Sequence, residues 1–108
     1  MTKFFISPGD PAGIGPEVTL KALSKNKKIQ NNFILAGDKN LYQDLISLNN
    51  LDLNLIEEDS DDEGIIFKHF PQKNNVSMGN PDVGNANYII DILSHGALGC
   101  LKNEFKGL

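Results

Sequence analysis

Apolar residues occur along the chain in two kinds of pattern: short continuous runs, and rows at helical spacing. Short apolar runs at residues 3–7, 32–36 and 65–70 predict three buried strands. Residues 51–56 alternate apolar and polar side chains, which predicts a further strand with one face in water. The pattern therefore predicts four strands.

Rows at helical spacing predict two shorter helices between these strands. The first helix begins near Pro16, because proline is well tolerated in a first turn. Asp38 is the expected N-cap of the second helix, which covers residues 39–48. The apolar positions are Val18, Leu20, Ala22 and Leu23 in the first helix, and Leu41, Leu45 and Leu48 in the second.

A third helix is predicted over residues 84–105, with Asp82 or Asn85 as its cap. Its apolar row recurs every three or four residues and consists of Ala86, Ile90, Leu93, Ala97, Leu101 and Phe105. Gly96 and Gly99 each lower helix propensity by about 1 kcal/mol, so together with Ala97 they indicate close packing against a neighbour. The last three residues resemble the start of another strand.

The resulting order, β-α-β-α-β-β-α, predicts the α/β class, a largely parallel sheet with flanking helices. Residues 1–108 read as one unit with no internal domain boundary, because no linker or repeat interrupts the pattern.

The segment between the first strand and the first helix is unusually rich in glycine and proline. This opening loop, residues 7–17, holds three glycines and three prolines in eleven positions. Glycine allows backbone conformations and close ligand approach that other residues do not, and proline fixes φ. In parallel sheets, ligands bind beyond the carboxyl ends of strands, where this loop is expected to lie. From the residues alone, a structural turn and a ligand-binding loop remain open alternatives.

Two common nucleotide motifs do not fit the opening loop. Gly13 and Gly15 are not followed by the Gly-Lys-Ser/Thr of a P-loop. They match the first two positions of a dinucleotide fingerprint, but Val18 occupies the third glycine position. Asp38 stands at the end of the second strand, where a ribose-binding acid would belong, and this partial match carries little weight alone.

Composition and charge narrow the classes of partner. A net charge of −4 argues against nucleic-acid binding, because such proteins usually carry a basic face. All ten basic residues are lysine, so the chain has no arginine fork for a phosphate. No apolar run is long enough to span a membrane and no signal peptide is evident, so a cytoplasmic protein is expected.

The cysteine, the acidic run and the two histidines are expected to have structural roles and not catalytic ones. Cys100 lies in an apolar helical pattern and is expected to be a buried, unreactive thiol. The acidic run from Glu57 to Glu63 does not have EF-hand spacing, so a solvated, mobile surface loop is favoured over a cation site. His69 and His95 are expected to be packed or exposed side chains. The polar connection 71–83 is long for its place, which indicates a functional role.

The full amino-acid sequence of the opening loop is more specific than either nucleotide motif. Its central run resembles the N-terminal signature of the 4-hydroxythreonine-4-phosphate dehydrogenase family: Gly9-Asp10-Pro11-Ala12-Gly13-Ile14-Gly15-Pro16-Glu17. The isocitrate and isopropylmalate dehydrogenases open with a related run that lacks the Pro11-Ala12 insertion. The resemblance continues through Ala36-Gly37-Asp38, the stretch from Gly79 to Tyr88, and Cys100 to Phe105. It covers essentially all 108 residues but only the first part of the family's length.

This resemblance implies an isocitrate/isopropylmalate dehydrogenase-like fold and a specific reaction. The family oxidises 4-phosphohydroxy-L-threonine with NAD or NADP to 2-amino-3-oxo-4-phosphooxybutanoate. That product loses CO₂ to give 3-amino-2-oxopropyl phosphate, in pyridoxal phosphate (vitamin B6) biosynthesis. Members are homodimers with a divalent metal, zinc, magnesium or cobalt. The expected partners are therefore a small phosphorylated amino acid and a second subunit, with no nucleic acid and no membrane.

The resemblance also assigns candidate site residues. Gly9, Asp10, Gly13 and Gly15 are the candidate cofactor-binding residues. For Asp10 the alternative is a turn-closing role through its own backbone. The family's metal ligands and its substrate-holding residues lie beyond Leu108 or in the partner, so no catalytic residue and no metal ligand is assigned within this chain.

A chain that ends as it enters a strand is expected to be the N-terminal portion of a longer dehydrogenase, inactive by itself. The alternative is a truncated, non-catalytic fragment, or a weak nucleotide-binding module. Reading the coding sequence beyond Leu108 separates the two, because a dehydrogenase continues into a Val-Thr-x-Pro strand and histidine-bearing motifs.

Overall fold

One parallel sheet forms the centre of the molecule, in a computed structural model that describes residues 3–73 and 75–108. The strands are β1 (Phe4–Ile6), β2 (Phe33–Gly37), β3 (Leu55–Ile56) and β4 (Ile65–His69). They lie in the order β1, β2, β4, β3, and every pairing between them is parallel. The predicted α/β class with a largely parallel sheet is confirmed.

Helices cover both faces of this sheet. They are α1 (Gly15–Lys25), α2 (Lys39–Leu48) and α3 (Ala86–Leu101), with short 3₁₀ turns at Lys27–Asn32 and Val83–Asn85. On one face α1 and α2 enclose a first core, formed by Leu20, Leu23, Leu35, Tyr42, Leu45, Ile65 and Phe67. On the other face α3 encloses a second core, formed by Phe5, Ile34, Ala36, Tyr88, Ile92 and Phe105. Neighbouring residues of β2 enter opposite cores, because successive strand side chains alternate between faces.

The strand predictions hold with two adjustments. Within residues 51–56 only Leu55 and Ile56 pair with β4, although half-buried and exposed side chains alternate from Leu51 to Leu55. At the other edge, Gly107 forms a parallel bridge with Phe4, and its carbonyl accepts a hydrogen bond of 2.9 Å from the Phe5 N–H. The predicted strand start at residues 106–108 therefore lies beside β1.

Within α3 the predicted apolar row does not face the sheet, although its last member, Phe105, is buried in the second core beyond the helix end at Leu101. Ile90, Leu93 and Ala97 are exposed and Leu101 is 80% exposed, whereas the buried row is Tyr88, Ile92, Gly96 and Gly99. Both rows have helical spacing, so the pattern alone could not choose between them. The structure uses the row with glycines because aromatic rings fill the space that the glycines leave.

Close packing at those glycines is confirmed. A Cβ on Gly96 would lie 2.7 Å from Cδ1 of Phe5, and a Cβ on Gly99 would lie 2.2 Å from Cε2 of Phe105. Both distances are shorter than a carbon–carbon contact allows. The two rings therefore pack directly against the α3 backbone.

Three further positions predicted as apolar helix faces are wrong. Val18 and Ala22 are exposed on α1, where Pro16, Leu20 and Leu23 are the buried residues. Leu48 is 81% exposed at the end of α2. Tyr42, which the leucine row omitted, takes the central place in the core with Leu45.

The acidic run is solvated, as the sequence predicted. Every carboxylate from Glu57 to Glu63 belongs to an exposed residue. Within residues 3–73 and 75–108, no helix is both long enough and apolar enough to cross a membrane.

Candidate functional site

The opening loop leaves the carboxyl end of β1 and runs directly into α1, whose first turn contains its last three residues. Pro11 and Pro16 are almost fully buried, and Ala12 is also buried. These three side chains anchor the loop to the protein, while Gly9 and Ile14 face solvent. The loop is therefore fixed at several points along its length, with its tip accessible.

Gly9 has a backbone conformation that requires glycine. Its φ is +88°, in the region that side-chain-bearing residues rarely adopt. No atom lies within 4 Å of the position of a Cβ on Gly9, so conformation and not space is the constraint.

Asp10 closes a turn through its own side chain and backbone. Its Oδ1 accepts a hydrogen bond of 2.8 Å from the Ala12 N–H, and its carbonyl accepts one of 3.0 Å from the Gly13 N–H. This is an Asx turn, the alternative that the sequence left open for this residue. Its other carboxylate oxygen makes no hydrogen bond to any residue that the structure describes, so the turn leaves that oxygen free to meet a ligand.

The two glycines at the start of α1 have different structural roles. A Cβ on Gly15 would lie 2.0 Å from the Pro8 carbonyl oxygen, so this position has no space for a side chain. A Cβ on Gly13 would lie 3.4 Å from the Asp10 carbonyl oxygen, an ordinary contact. The fold therefore accounts for the glycine at Gly15 and does not account for the one at Gly13.

The start of α1 leaves backbone donors unpaired. The N–H groups of Ile14, Gly15 and Glu17 find no acceptor in the part of the chain that the structure describes, as is usual for a first helical turn. No side chain caps the helix at Ile14. The Glu17 carboxylate lies 3.0 Å from the Lys21 ammonium, one turn along the helix. The site thus combines outward N–H donors with a nearby negative charge.

A second segment contacts the opening loop. The Gly79 N–H donates a hydrogen bond of 2.9 Å to the Ala12 carbonyl. Gly79 belongs to a tight turn, residues 77–80, in the connection between β4 and α3. The length of that connection indicated a functional role, but no sequence signal identified the loop as its contact.

Asp38 organises the neighbouring strand end. Its Oδ1 accepts hydrogen bonds from the N–H groups of Asn40 and Leu41, which confirms it as the N-cap of α2. Its Oδ2 accepts a bond of 3.0 Å from the Gln72 N–H. Both oxygens are thus engaged with the backbone, so the geometry favours the capping role over a ribose-binding one.

Tyr88 connects α3 to the carboxyl end of β2 at Asp38. Its hydroxyl accepts a hydrogen bond of 2.8 Å from the Asp38 N–H. Burial is the main reason that the pKa of Tyr88 is raised to about 12. The tyrosine is therefore neutral at physiological pH.

The two histidines and the cysteine have structural surroundings. Nδ1 of His69 accepts a hydrogen bond of 3.0 Å from the Lys39 N–H at the start of α2. The His95 ring packs against Phe5, Phe70 and Phe105, with ring centroids 5.5–6.0 Å apart. Cys100 is partly buried beside the second core. In residues 3–73 and 75–108 no three His, Cys, Asp or Glu side chains are grouped closely enough to hold a metal ion.

The structure thus places the four candidate cofactor-binding residues, Gly9, Asp10, Gly13 and Gly15, in one anchored loop. Two have fold-related explanations, the positive φ of Gly9 and the lack of space at Gly15. Their binding of a cofactor stays a prediction.

Sequence comparisons match this chain to proteins with the same name as the family that the sequence of the opening loop resembles. The chain is 26% identical to the 4-hydroxythreonine-4-phosphate dehydrogenase of Vibrio parahaemolyticus, over 98% of this chain and 33% of that protein. It is 29% identical to the protein of the same name from Yersinia pseudotuberculosis, over 98% of this chain and 34% of that protein. No protein-family model matches the chain. The expected resemblance to proteins of this name is confirmed.

Solved structures show the same fold. A Klebsiella pneumoniae 4-hydroxythreonine-4-phosphate dehydrogenase superposes with a TM-score of 0.79 at 20% identity, covering 95% of this chain and 34% of that one. A Salmonella typhimurium structure described by the same enzyme name gives 0.80 at 24% identity, with 97% and 36% covered. The fold class is therefore that of these dehydrogenases. The chain spans about a third of the length of the curated relatives it matches.

Proposed function

We propose that this chain is the N-terminal part of an NAD- or NADP-dependent, divalent-metal-dependent dehydrogenase that oxidises 4-phosphohydroxy-L-threonine in pyridoxal phosphate biosynthesis. The product, 2-amino-3-oxo-4-phosphooxybutanoate, is a β-keto acid and loses CO₂ to give 3-amino-2-oxopropyl phosphate. The complete enzyme would be a cytoplasmic homodimer.

The observation that carries the proposal is Gly13. Gly13 is half-buried and lies two residues before α1, yet its φ is outside the left-handed region and a Cβ would meet only the Asp10 carbonyl oxygen at 3.4 Å and the Asp10 Cβ at 4.0 Å. A glycine that the fold does not require is accounted for by a ligand that approaches the backbone closely. The similarity to dehydrogenases of this name, over 98% of the chain, supplies the class of ligand.

The charges around the loop favour the neutral parts of the cofactor. Asp10 and Glu17 place two carboxylates at the loop, and Lys21 already pairs with Glu17. A pyrophosphate would be repelled by these carboxylates, whereas a ribose hydroxyl or a carboxamide would find both N–H donors and carboxylate acceptors. Ile14, 75% exposed, and Val18 add apolar surface for a flat ring. We therefore assign the nicotinamide–ribose end to this loop.

The metal is proposed to bind outside the described part of this chain. No grouping of three ligand-type side chains is present in residues 3–73 and 75–108. The nearest histidines to the sheet ends, His69 and His95, are engaged with a backbone N–H and with aromatic rings. The residues of this chain would orient the cofactor, and the metal, when bound elsewhere, would stabilise negative charge on the substrate oxygen.

The role left to this chain in the reaction is orientation. The bound cofactor would supply hydride acceptance, and the loop would fix the direction from which the ring meets the substrate. Loop rigidity matters for this role, because small displacements of reacting groups cost rate. The buried anchors Pro11, Ala12 and Pro16 are suited to that requirement.

The test is an activity measurement on the product of the complete coding sequence. NAD⁺ or NADP⁺ reduction is followed by absorbance, with 4-phosphohydroxy-L-threonine and zinc, magnesium or cobalt present. Metal-dependent reduction supports the proposal, and its absence with every cofactor and metal combination would refute it. The 108-residue chain alone is the control, and we expect it to give no turnover because it lacks the proposed metal ligands.

A non-catalytic fragment or weak nucleotide-binding module is the second candidate. The lack of a metal-type cluster in the described residues favours it over an enzyme that is complete in this chain. A coding sequence that stops after Leu108 would support this candidate.

A further inference from the structure

The turn at residues 77–80 is a defined structure within the connection between β4 and α3. The Asn80 N–H donates a hydrogen bond of 2.9 Å to the Ser77 carbonyl, and Asn80 Nδ2 lies 3.3 Å from Ser77 Oγ. Gly79 has a φ of +80° and Met78 does not have a positive φ, which is the pattern of a type II turn. The turn needs glycine, or a residue that tolerates positive φ, at position 79.

Space does not explain the glycine at this position. No atom lies within 4 Å of the position of a Cβ on Gly79. The requirement is therefore conformational, and its result is that the Gly79 N–H points at the Ala12 carbonyl, 2.9 Å away.

Ala12 is the central residue of the opening loop, and hydrogen bonds hold it from both sides. Its N–H donates to Asp10 Oδ1 within the loop, and its carbonyl accepts from Gly79. Ala12 is also buried, so water cannot readily replace either partner. The position of the loop therefore depends on a segment 67 residues away in sequence, because the bond joins residues 12 and 79.

We infer that the turn at residues 77–80 is a positioning element for the opening loop, with Gly79 as the positioning residue. This inference rests on the proposed function in one respect: the turn would set the affinity of the loop for NAD⁺ without touching the cofactor. Breaking one hydrogen bond of this kind corresponds to a loss of affinity of about two- to tenfold.

Three variants separate positioning from general strain. Gly79→Ala adds a methyl group that meets no neighbour but disfavours φ +80°. Gly79→Asn is the rescue variant, because asparagine tolerates positive φ better than alanine does. Asn50→Ala is the matched control, since Asn50 also has a positive φ, +52°, but follows α2, where its N–H donates to the Ser47 carbonyl and not to the opening loop.

The measurement is the amide spectrum of the ¹⁵N-labelled chain by NMR, with and without NAD⁺. Without ligand, Gly79→Ala should shift the amide signals of Ala12 and Gly13 and speed hydrogen exchange at residue 79. Gly79→Asn should restore both, and Asn50→Ala should change neither. Unmoved loop signals in Gly79→Ala, or equal shifts in Asn50→Ala, would overturn the inference.

The NAD⁺ titration tests separately whether the turn at residues 77–80 affects the affinity of the loop for NAD⁺. In the unmodified chain the signals of Ile14 and Gly15 should shift with NAD⁺, and Gly79→Ala should weaken that binding two- to tenfold. If NAD⁺ shifts no loop signal while the ligand-free result is as expected, the positioning role is supported and an NAD⁺ site that is complete within this chain is refuted. Equal NAD⁺ affinity in both proteins would contradict the link between the turn and binding.

Discussion

Replacement of Gly15 by alanine tests most directly the different structural roles assigned to Gly13 and Gly15. The new Cβ would lie 2.0 Å from the Pro8 carbonyl oxygen and 3.1 Å from its carbonyl carbon. Both are backbone atoms, so no flexible side chain can move aside. The opening loop at Pro8 and the first turn of α1 would have to separate by more than 1 Å to restore a normal contact.

Gly13→Ala is the matched variant two positions away. Its Cβ meets only the Asp10 carbonyl oxygen at 3.4 Å and the Asp10 Cβ at 4.0 Å. Both substitutions reduce the freedom of the unfolded chain by about the same amount, roughly 0.4–1 kcal/mol. The difference between the two variants therefore isolates the steric clash at Gly15.

Overpacking of this kind costs about 1–3 kcal/mol. For a domain of this size that corresponds to a fall in Tm of roughly 4–20 °C for Gly15→Ala. Gly13→Ala should lie within a few degrees of the parent chain or slightly above it.

Thermal and urea unfolding of the two variants and the parent chain, followed by circular dichroism, measures the difference. Equal stability of Gly15→Ala and Gly13→Ala would refute the reasoning, because it would mean that the close approach to Pro8 relaxes without cost. A larger loss in Gly13→Ala would reverse the assignment and remove the main support for a ligand at Gly13.

Three further predictions concern the loop and the Tyr88 corner. In the proposed complete dehydrogenase, Gly13→Val should raise KM for NAD⁺ or NADP⁺ with a smaller effect on Tm, and unchanged kinetics would show that the loop is only structural. Tyr88→Phe should lower the free energy of unfolding by about 1–3 kcal/mol, because it leaves the buried Asp38 N–H without its partner. Tyr42→Phe is the control, since the Tyr42 hydroxyl makes no hydrogen bond with any residue in 3–73 and 75–108 and its loss should be nearly neutral. Because the pKa of Tyr88 is raised to about 12, the folded state keeps a proton that the unfolded state loses above about pH 10. Stability should therefore be full below pH 10 and fall as the pH rises from about 10 to 12, and urea midpoints should show a smaller fall in Tyr88→Phe.

The local pattern predicted most of the fold because strand and helix periods differ. Short apolar runs became β1, β2 and β4, and Asp38 caps α2 as its position indicated. The apolar pattern gave the wrong buried face where two rows of residues on one helix have helical spacing. In α3 the rows containing Ile90 and Ile92 both have helical spacing, and only the packing of Phe5 and Phe105 against the helix glycines selects the second.

The candidate site was predictable to the extent that it is local. The Asx turn of Asp10 joins residues two apart, so the local sequence is enough to predict it as one alternative. The bond from Gly79 to Ala12 joins distant residues and involves only backbone atoms, so no side-chain pattern encodes it. Its only signal was the unusual length of the connection between β4 and α3.

The second apolar face of α3 bears on how long such a chain survives in a cell. Ile90, Leu93, Leu98 and Leu101 form an exposed stripe along a helix whose opposite side is already buried. Exposed apolar surface of this kind favours association and aggregation, and misassembled or unfolded chains are removed by chaperones and proteases. Polar substitutions on the stripe should therefore lengthen the cellular half-life of the isolated chain, while the opening loop stays unchanged. We therefore expect the outer side of α3 to affect the degradation rate of the isolated chain, which pulse-chase labelling of the variants would measure.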